Sequence, residues 1–241
     1  MSTLLLRLAG PMQSWGVKGR FTRRPTELHP TKSGIVGLLA AAEGRRRTDP
    51  IEDLVKLRMG VRVEQPGKLM RDFQTASRPG VTAPLSYRYY LSDAVFLAGV
   101  EGPREVLEGL DKALASPTFP LYLGRRAFPP EGRLSLGIEG DSLSDVLEQR
   151  PWDASPMVME ERRSRVVRLR IVRDVEPGED PTATLEDAPV SFDPDRRLFS
   201  SRAVRDYEIE QPNPKAPAGA PGHSDHDPFG YLGEMSVSQQ M

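Results

Sequence analysis

The sequence predicts an α+β fold built on a ferredoxin-like, or split βαβ, sheet. Three observations carry that expectation. An apolar strand opens the chain and leads through a long loop into a helix of period 3.6. Two further apolar strands, Leu57–Val63 and Ala94–Val100, flank a long insertion with turn signals. A second amphipathic helix and another strand then complete the order β-α-β-insertion-β-α-β. In that topology two helices pack on one face of a four-stranded antiparallel sheet. The other face is expected to stay free for binding, as in RNA-recognition modules.

Residues 2–8 form the first expected strand, because Leu4, Leu5 and Leu6 suit a strand covered on at least one face. Residues 9–30 hold Gly10, Pro11, Gly16, Gly19, Pro25 and Pro30 and read as a loop. Thr31 is placed to cap a helix whose Ile35, Leu38, Leu39 and Ala42 fall at helical spacing. Gly44 ends it, and Arg45, Arg46 and Arg47 lie near the negative end of its dipole. Ile51–Leu57 reads as a short helical turn. In the next strand Leu57, Met59, Val61 and Val63 alternate with Arg58, Gly60 and Arg62, giving one buried and one cationic face.

Residues 64–90 form the insertion, with Pro66-Gly67 and Pro79-Gly80 as turns and Arg71, Arg78, Tyr87, Arg88, Tyr89 and Tyr90 as its notable side chains. Past the Ala94–Val100 strand, Gly102-Pro103 opens a helix with Val106, Leu107, Leu110 and Leu114 inward. Either Phe119–Leu123 or Arg133–Ile138 supplies the next strand. Residues 141–149 read as a short helix with Leu143, Val146 and Leu147 buried. Arg165–Arg173 is a cationic strand, 174–188 is acidic and turn-rich, and 189–207 holds a further short strand or two. The expected organisation is therefore 1–140 with an insertion at 64–90, a mostly β region at 141–210, and a Pro/Gly-rich flexible tail at 211–241.

Composition excludes several classes. The chain of 241 residues can bury a real core, but its 38% hydrophobic content with 23 Pro and 21 Gly points to long loops beside it. There is no cysteine, so disulfides and thiolate metal sites are excluded. No apolar run reaches membrane-spanning length, and Arg7 interrupts the leucines too early for a signal peptide. A cytoplasmic protein without membrane contact is expected. Net charge is −1, yet residues 1–47 hold nine Lys/Arg against two acids, while 174–210 hold four Arg against eleven acids. A basic front suits a polyanion, and an acidic back suits either a second partner or a plain solvated surface.

The basic front is Lys18, Arg20, Arg23, Arg24 and Lys32 beside Trp15. Cations and a helix start bind phosphate, and aromatic rings stack unpaired bases. A solvated basic loop anchored by Trp15 is the competing reading. Thr31-Lys32-Ser33-Gly34 is not a nucleotide triphosphate loop, because its glycine follows the Lys-Ser pair. A phosphate at that helix start is still compatible. In Leu121-Tyr122-Leu123-Gly124-Arg125-Arg126 a glycine permits close backbone approach and two arginines follow it; a basic turn is the competing reading. His29, His223 and His226 are the only histidines. His29 could serve as a general base for RNA cleavage, but no second histidine lies in the expected ordered chain. His223-x-x-His226 in the tail is a weak metal motif, and no cofactor or metal is expected.

The run Leu6-Arg7-Leu8-Ala9-Gly10-Pro11-Met12-Gln13-Ser14-Trp15-Gly16 resembles the opening of the CasD family, a subunit of the type I-E CRISPR surveillance complex Cascade. Pro30-Thr31-Lys32-Ser33-Gly34-Ile35-Val36-Gly37-Leu38-Leu39-Ala40-Ala41, Gly60–Val63, Asp72–Thr75, Tyr90–Ala94 and Leu121–Arg126 follow in the family's order, so the resemblance spans about residues 1–210. It implies a RAMP-type fold in which 64–90 is a thumb. It implies a non-catalytic role in antiviral defence: holding the 5′ handle of the CRISPR RNA and capping the CasC backbone filament beside the large subunit CasA. Target DNA would be met only through the assembled complex, and RNA processing would belong to CasE. Related subunits of other subtypes are the processing nuclease, so a metal-independent endoribonuclease acting on repeat RNA is the alternative. Gln74 stands where the family often has histidine, and glutamine cannot shuttle a proton. The handle site implied is Gln13, Ser14, Trp15, Lys18, Arg20, Arg23, Arg24, Lys32 and Ser33 with Tyr122, Gly124, Arg125 and Arg126. Arg71, Arg78 and Arg88 on the thumb would touch RNA further along or a neighbouring subunit.

Overall fold

The computed structural model describes residues 1–16, 23–75, 80 and 85–221. Its strands are β1 (Ser2–Ala9), β2 (Met12–Gln13), β3 (Arg23–Arg24), β4 (Arg58–Gln65), β5 (Lys68–Gln74), β6 (Ser86–Ser92), β7 (Val95–Gly102), β8 (Ser135–Glu139), β9 (Val166–Asp174), β10 (Ala183–Ser191) and β11 (Leu198–Pro212). Its helices are α1 (Lys32–Ala42), α2 (Glu52–Val55), α3 (Arg104–Ala115), α4 (Leu143–Gln149) and α5 (Pro156–Glu161).

Seven strands form one antiparallel sheet in the order β10-β11-β9-β4-β7-β1-β8. The 141–210 region therefore continues the main sheet, joining it where β9 pairs with β4. Of the two candidates for the strand after α3, the second is the one that forms, as β8 on β1. A second, smaller sheet joins β2, β3 and the hairpin β5–β6, with β3 parallel to β6.

The opening leucines are all buried because both faces of the main sheet are covered. Leu4, Leu6 and Leu8 join Met59, Val61, Phe96 and Ala98 beneath α1 and α3. Leu5 points the other way and packs with Leu97, Ile171 and the inward residues of α4, Leu143, Val146 and Leu147. This corrects the expectation of a free sheet face. The supposed cationic face of β4 is buried too. Arg62 is 0% exposed. Its guanidinium caps α4 by donating to the carbonyls of Leu147, Arg150 and Pro151, and its Nε meets Glu64. The helix carbonyls left over at a C-terminus are what make a buried arginine tolerable there.

The cations of β9 are likewise spoken for. Arg168 faces Glu210, Arg170 pairs with Asp206, and Arg173 pairs with Glu179. Three of the acids of the 174–210 stretch are therefore paired with cations of this strand. Helix α1 starts as expected, with Thr31 Oγ1 accepting from Gly34 N, and ends at Gly44, whose φ of 82° suits only glycine well. Helix α3 buries Leu107, Leu110 and Leu114, but Val106 lies on its exposed side. The tail expected from Gln211 is packed as far as Pro221, where Asn213 Nδ2 donates to the carbonyls of Met159, Arg162 and Ser164. No helix among the described residues is long and apolar enough to cross a membrane.

Candidate nucleic-acid interface

The first loop is built around Trp15, which is 1% exposed. Its indole Nε1 donates to Gln13 Oε1 at 3.1 Å, and Gln13 Nε2 donates to the carbonyls of Leu8 and Ala94. A Cβ on Gly34 would lie 2.6 Å from the indole ring, so Gly34 is what lets α1 approach it. Gln13 and Trp15 thus hold the loop against the sheet, and neither presents a free group at the surface.

Lys32 also differs from expectation. Its ammonium turns inward, donating to Asp174 Oδ2 at 2.8 Å and to the Leu57 carbonyl at 3.0 Å. The backbone N–H of Lys32 donates to Asp187 Oδ2, so the start of α1 is satisfied by the protein's own carboxylate and not by a phosphate. Arg202 closes the group, bonding Asp174 through Nη1 and Asp187 through Nε and Nη2. Burial alone would raise the Asp174 carboxyl, but the charges of Arg202 and Lys32 outweigh it and hold it below the usual carboxylate range. Two cations and two anions cancel here, which ties β9, β10 and β11 to α1.

Ser14 is fixed by three contacts. Its N–H donates to the Leu123 carbonyl, its Oγ donates to the Tyr89 carbonyl, and its own carbonyl lies against Gly124. A Cβ on Gly124 would fall 1.6 Å from that oxygen, and φ is 86°. The close approach predicted at Gly124 is therefore made by the protein's own chain. Ser33 Oγ sits against Thr31 Oγ1.

Four of the predicted cations, Arg24, Arg88, Arg125 and Arg126, converge. Arg24 on β3, Arg88 on β6 and Arg125 after Gly124 line a cleft of about 660 Å³ with Arg47, Arg126, Tyr90, Tyr122 and Phe128. Five arginines face it and Asp72 is the one acid among its lining residues. Arg125 is held by a 3.0 Å bond from Nη2 to the Tyr89 carbonyl, and its guanidinium lies about 6 Å from the rings of Tyr90 and Phe128. Burial, then the like charges of Arg88 and Arg24, lower its pKa. Arg88 Nε is buried without an acceptor among the described residues. Like charges held together with an unpaired donor are stabilised by an anion.

Arg23 is exposed on β3, and Arg71 lies 5.5 Å from the Tyr87 ring on the thumb hairpin. Lys18, Arg20 and Arg78 lie outside the described residues, as do His223 and His226. His29 is buried, its Nδ1 faces the Pro30 carbonyl, and burial lowers its pKa. It does not line the arginine cleft. Sequence reasoning missed Arg47 as a site residue; its position just past Gly44 suggested only dipole compensation.

The scaffold is a mixed α/β fold with predominantly antiparallel sheets, carrying this arginine cleft on its second sheet. The match to known proteins is consistent with that class. A family model described as CRISPR-associated protein (Cas_Cas5) matches residues 3–205, and the chain belongs to that family. The chain is 34% identical over 160 residues to the Cascade subunit CasD of Escherichia coli strain K12, covering 56% of this chain and 70% of that protein. It is similar to a chain of a solved CRISPR RNA-guided surveillance complex, at 32% identity and TM-score 0.71, covering 90% of this chain and 95% of that one. A crystal structure of a Cas protein matches at 40% identity and TM-score 0.66, covering 91% of this chain and all of that one.

Proposed function

We propose that the chain is a non-catalytic RNA-binding subunit of a type I-E Cascade surveillance complex. It holds the 5′ handle of the CRISPR RNA and caps the CasC filament beside CasA. The likeness to CasD and to a chain of an RNA-guided complex supports the assembly. The strand order β8-β1-β7-β4, with α1 and α3 crossing one face, supports a ferredoxin-like RAMP module with β5–β6 as its thumb.

The observation that carries the RNA reading is the cleft of Arg24, Arg47, Arg88, Arg125 and Arg126. Guanidiniums neutralise phosphates, and Tyr90 and Tyr122 offer ring faces beside them. Arg23 and Arg71 alternate with the cleft-lining Arg24 and Asp72 and so lie on the other face of the small sheet, away from the cleft. Gln13, Trp15, Ser14 and Gly124 contribute by fixing the walls of the cleft, whereas Lys32 points inward to Asp174. Catalysis is disfavoured, because buried His29 faces its own backbone and lies outside the cleft.

The test is handle-RNA affinity across a salt series, for wild type and Arg125→Ala/Arg126→Ala. Each lost phosphate contact should lower the log–log salt slope by about 0.7. Affinity insensitive to both salt and the double substitution would exclude this site. Incubation of repeat RNA with the protein and EDTA addresses the nuclease reading, which needs cleavage that His29→Ala abolishes.

A further inference from the structure

A second cleft, of about 910 Å³, adjoins the first and shares Arg47, Tyr122, Gly124 and Arg126 with it. Its floor is the outward side of α1 at Gly37, Leu38 and Ala41. One wall is the 118–122 segment, pinned to the end of α1 by Thr118 N–H donating to the Ala42 carbonyl and Phe119 N–H to the Ala41 carbonyl. The opposite wall is the turn between β10 and β11, whose Phe192 ring lies over Gly37. Five arginines and no acid line this cleft. Arg45 is committed to Glu43 and Asp53, but Arg46, Arg47, Arg126 and Arg197 carry no ion pair among the described residues.

We infer that this cleft takes unstacked nucleotides of the same RNA strand that fills the first cleft. The inference rests on the RNA-binding reading and deepens it. Aromatic rings at Phe119, Phe192 and Tyr122 above an apolar floor suit the faces of bases. Arginines at the rim suit the flanking phosphates, and the absence of any lining carboxylate removes repulsion along the path. Continuity through Arg47, Tyr122 and Arg126 lets one strand occupy both clefts without leaving the surface. The β10–β11 turn thereby becomes part of the RNA site, far from the other site residues in sequence.

The test uses the full chain and a single-stranded RNA carrying the 5′ handle of its CRISPR RNA. Arg46→Glu and Arg197→Glu change exposed side chains that line only the second cleft. Each should weaken binding about tenfold and lower the salt slope by about 0.7. An abasic scan should find a position whose base contributes about tenfold in wild type and nothing in Phe192→Ala. Wild-type affinity in all three variants, with affinity lost in Arg125→Ala/Arg126→Ala, would overturn the second cleft and leave the RNA reading standing. No loss in the Arg125/Arg126 variant either would overturn both. Unchanged RNA affinity with lost co-purification of Cas subunits would reassign the cleft to a protein partner and overturn the inference.

Discussion

Gly124→Ala perturbs the joint on which the arginine cleft is mounted. The backbone there has φ 86°, and holding an L-residue in that region costs about 1–2 kcal/mol. The new Cβ would meet the Ser14 carbonyl oxygen at 1.6 Å, so the 122–126 segment must back away. Overpacking of this kind costs about 1–3 kcal/mol. The Ser14 N–H bond to the Leu123 carbonyl then stretches, forfeiting about 1 kcal/mol more. The total, about 3–6 kcal/mol, is a large part of the roughly 5–15 kcal/mol that stabilises a domain. Urea denaturation reads it directly. With a slope of about 1–3 kcal/mol per molar, the midpoint should fall by at least about 1 M. RNA affinity should fall as well, because Arg125 and Arg126 move with the segment. A midpoint and an affinity both equal to wild type would refute the claim that Gly124 is there for its close packing on Ser14.

Other outcomes follow from the same contacts. Lys32→Met leaves Asp174 with Arg202 as its remaining cation and should destabilise by about 3 kcal/mol, read by the same denaturation. Its RNA affinity per folded molecule should be unchanged, since the ammonium faces inward. Stability should fall with acid. The carboxyls of Asp174 and Asp206 lie below their ordinary value of 3.8 and that of Glu179 falls from 4.5 to about 2, so their contribution is complete above the ordinary values and lost as pH drops toward 2. A thermal midpoint that rises between pH 5 and pH 3 would contradict those pairings. Arg62→Met should cost about 3 kcal/mol, because Glu64 and three carbonyls lose their partner while buried.

Much of the scaffold was legible because local chemistry agreed with the fold. Thr31 marked a cap, Gly44 a stop, and the periodicities of 35–42 and 143–147 marked buried helix faces. The closed sheet face was not legible. Arg58 and Arg62 alternate with apolar residues just as a solvated face would, and only the end of α4, some 85 residues away, supplies the carbonyls that bury Arg62. Lys32 misled for the same reason, since its partner Asp174 lies 142 residues on. Of the residues lining the two clefts, Arg24, Arg88, Arg125 and Arg126 were singled out by their residue types and the family runs. Arg46, Arg47 and Arg197 were not, because the first two suggested only compensation of the α1 dipole and Arg197 lies in a turn of the acidic stretch.

The most direct measurement is RNA–protein crosslinking with mass spectrometry on the assembled complex. Crosslinks from the 5′ handle should fall on Arg24, Arg88, Tyr90 and Tyr122–Arg126. Crosslinks confined to other surfaces, such as the ion-paired strands β9 and β11, would contradict this assignment.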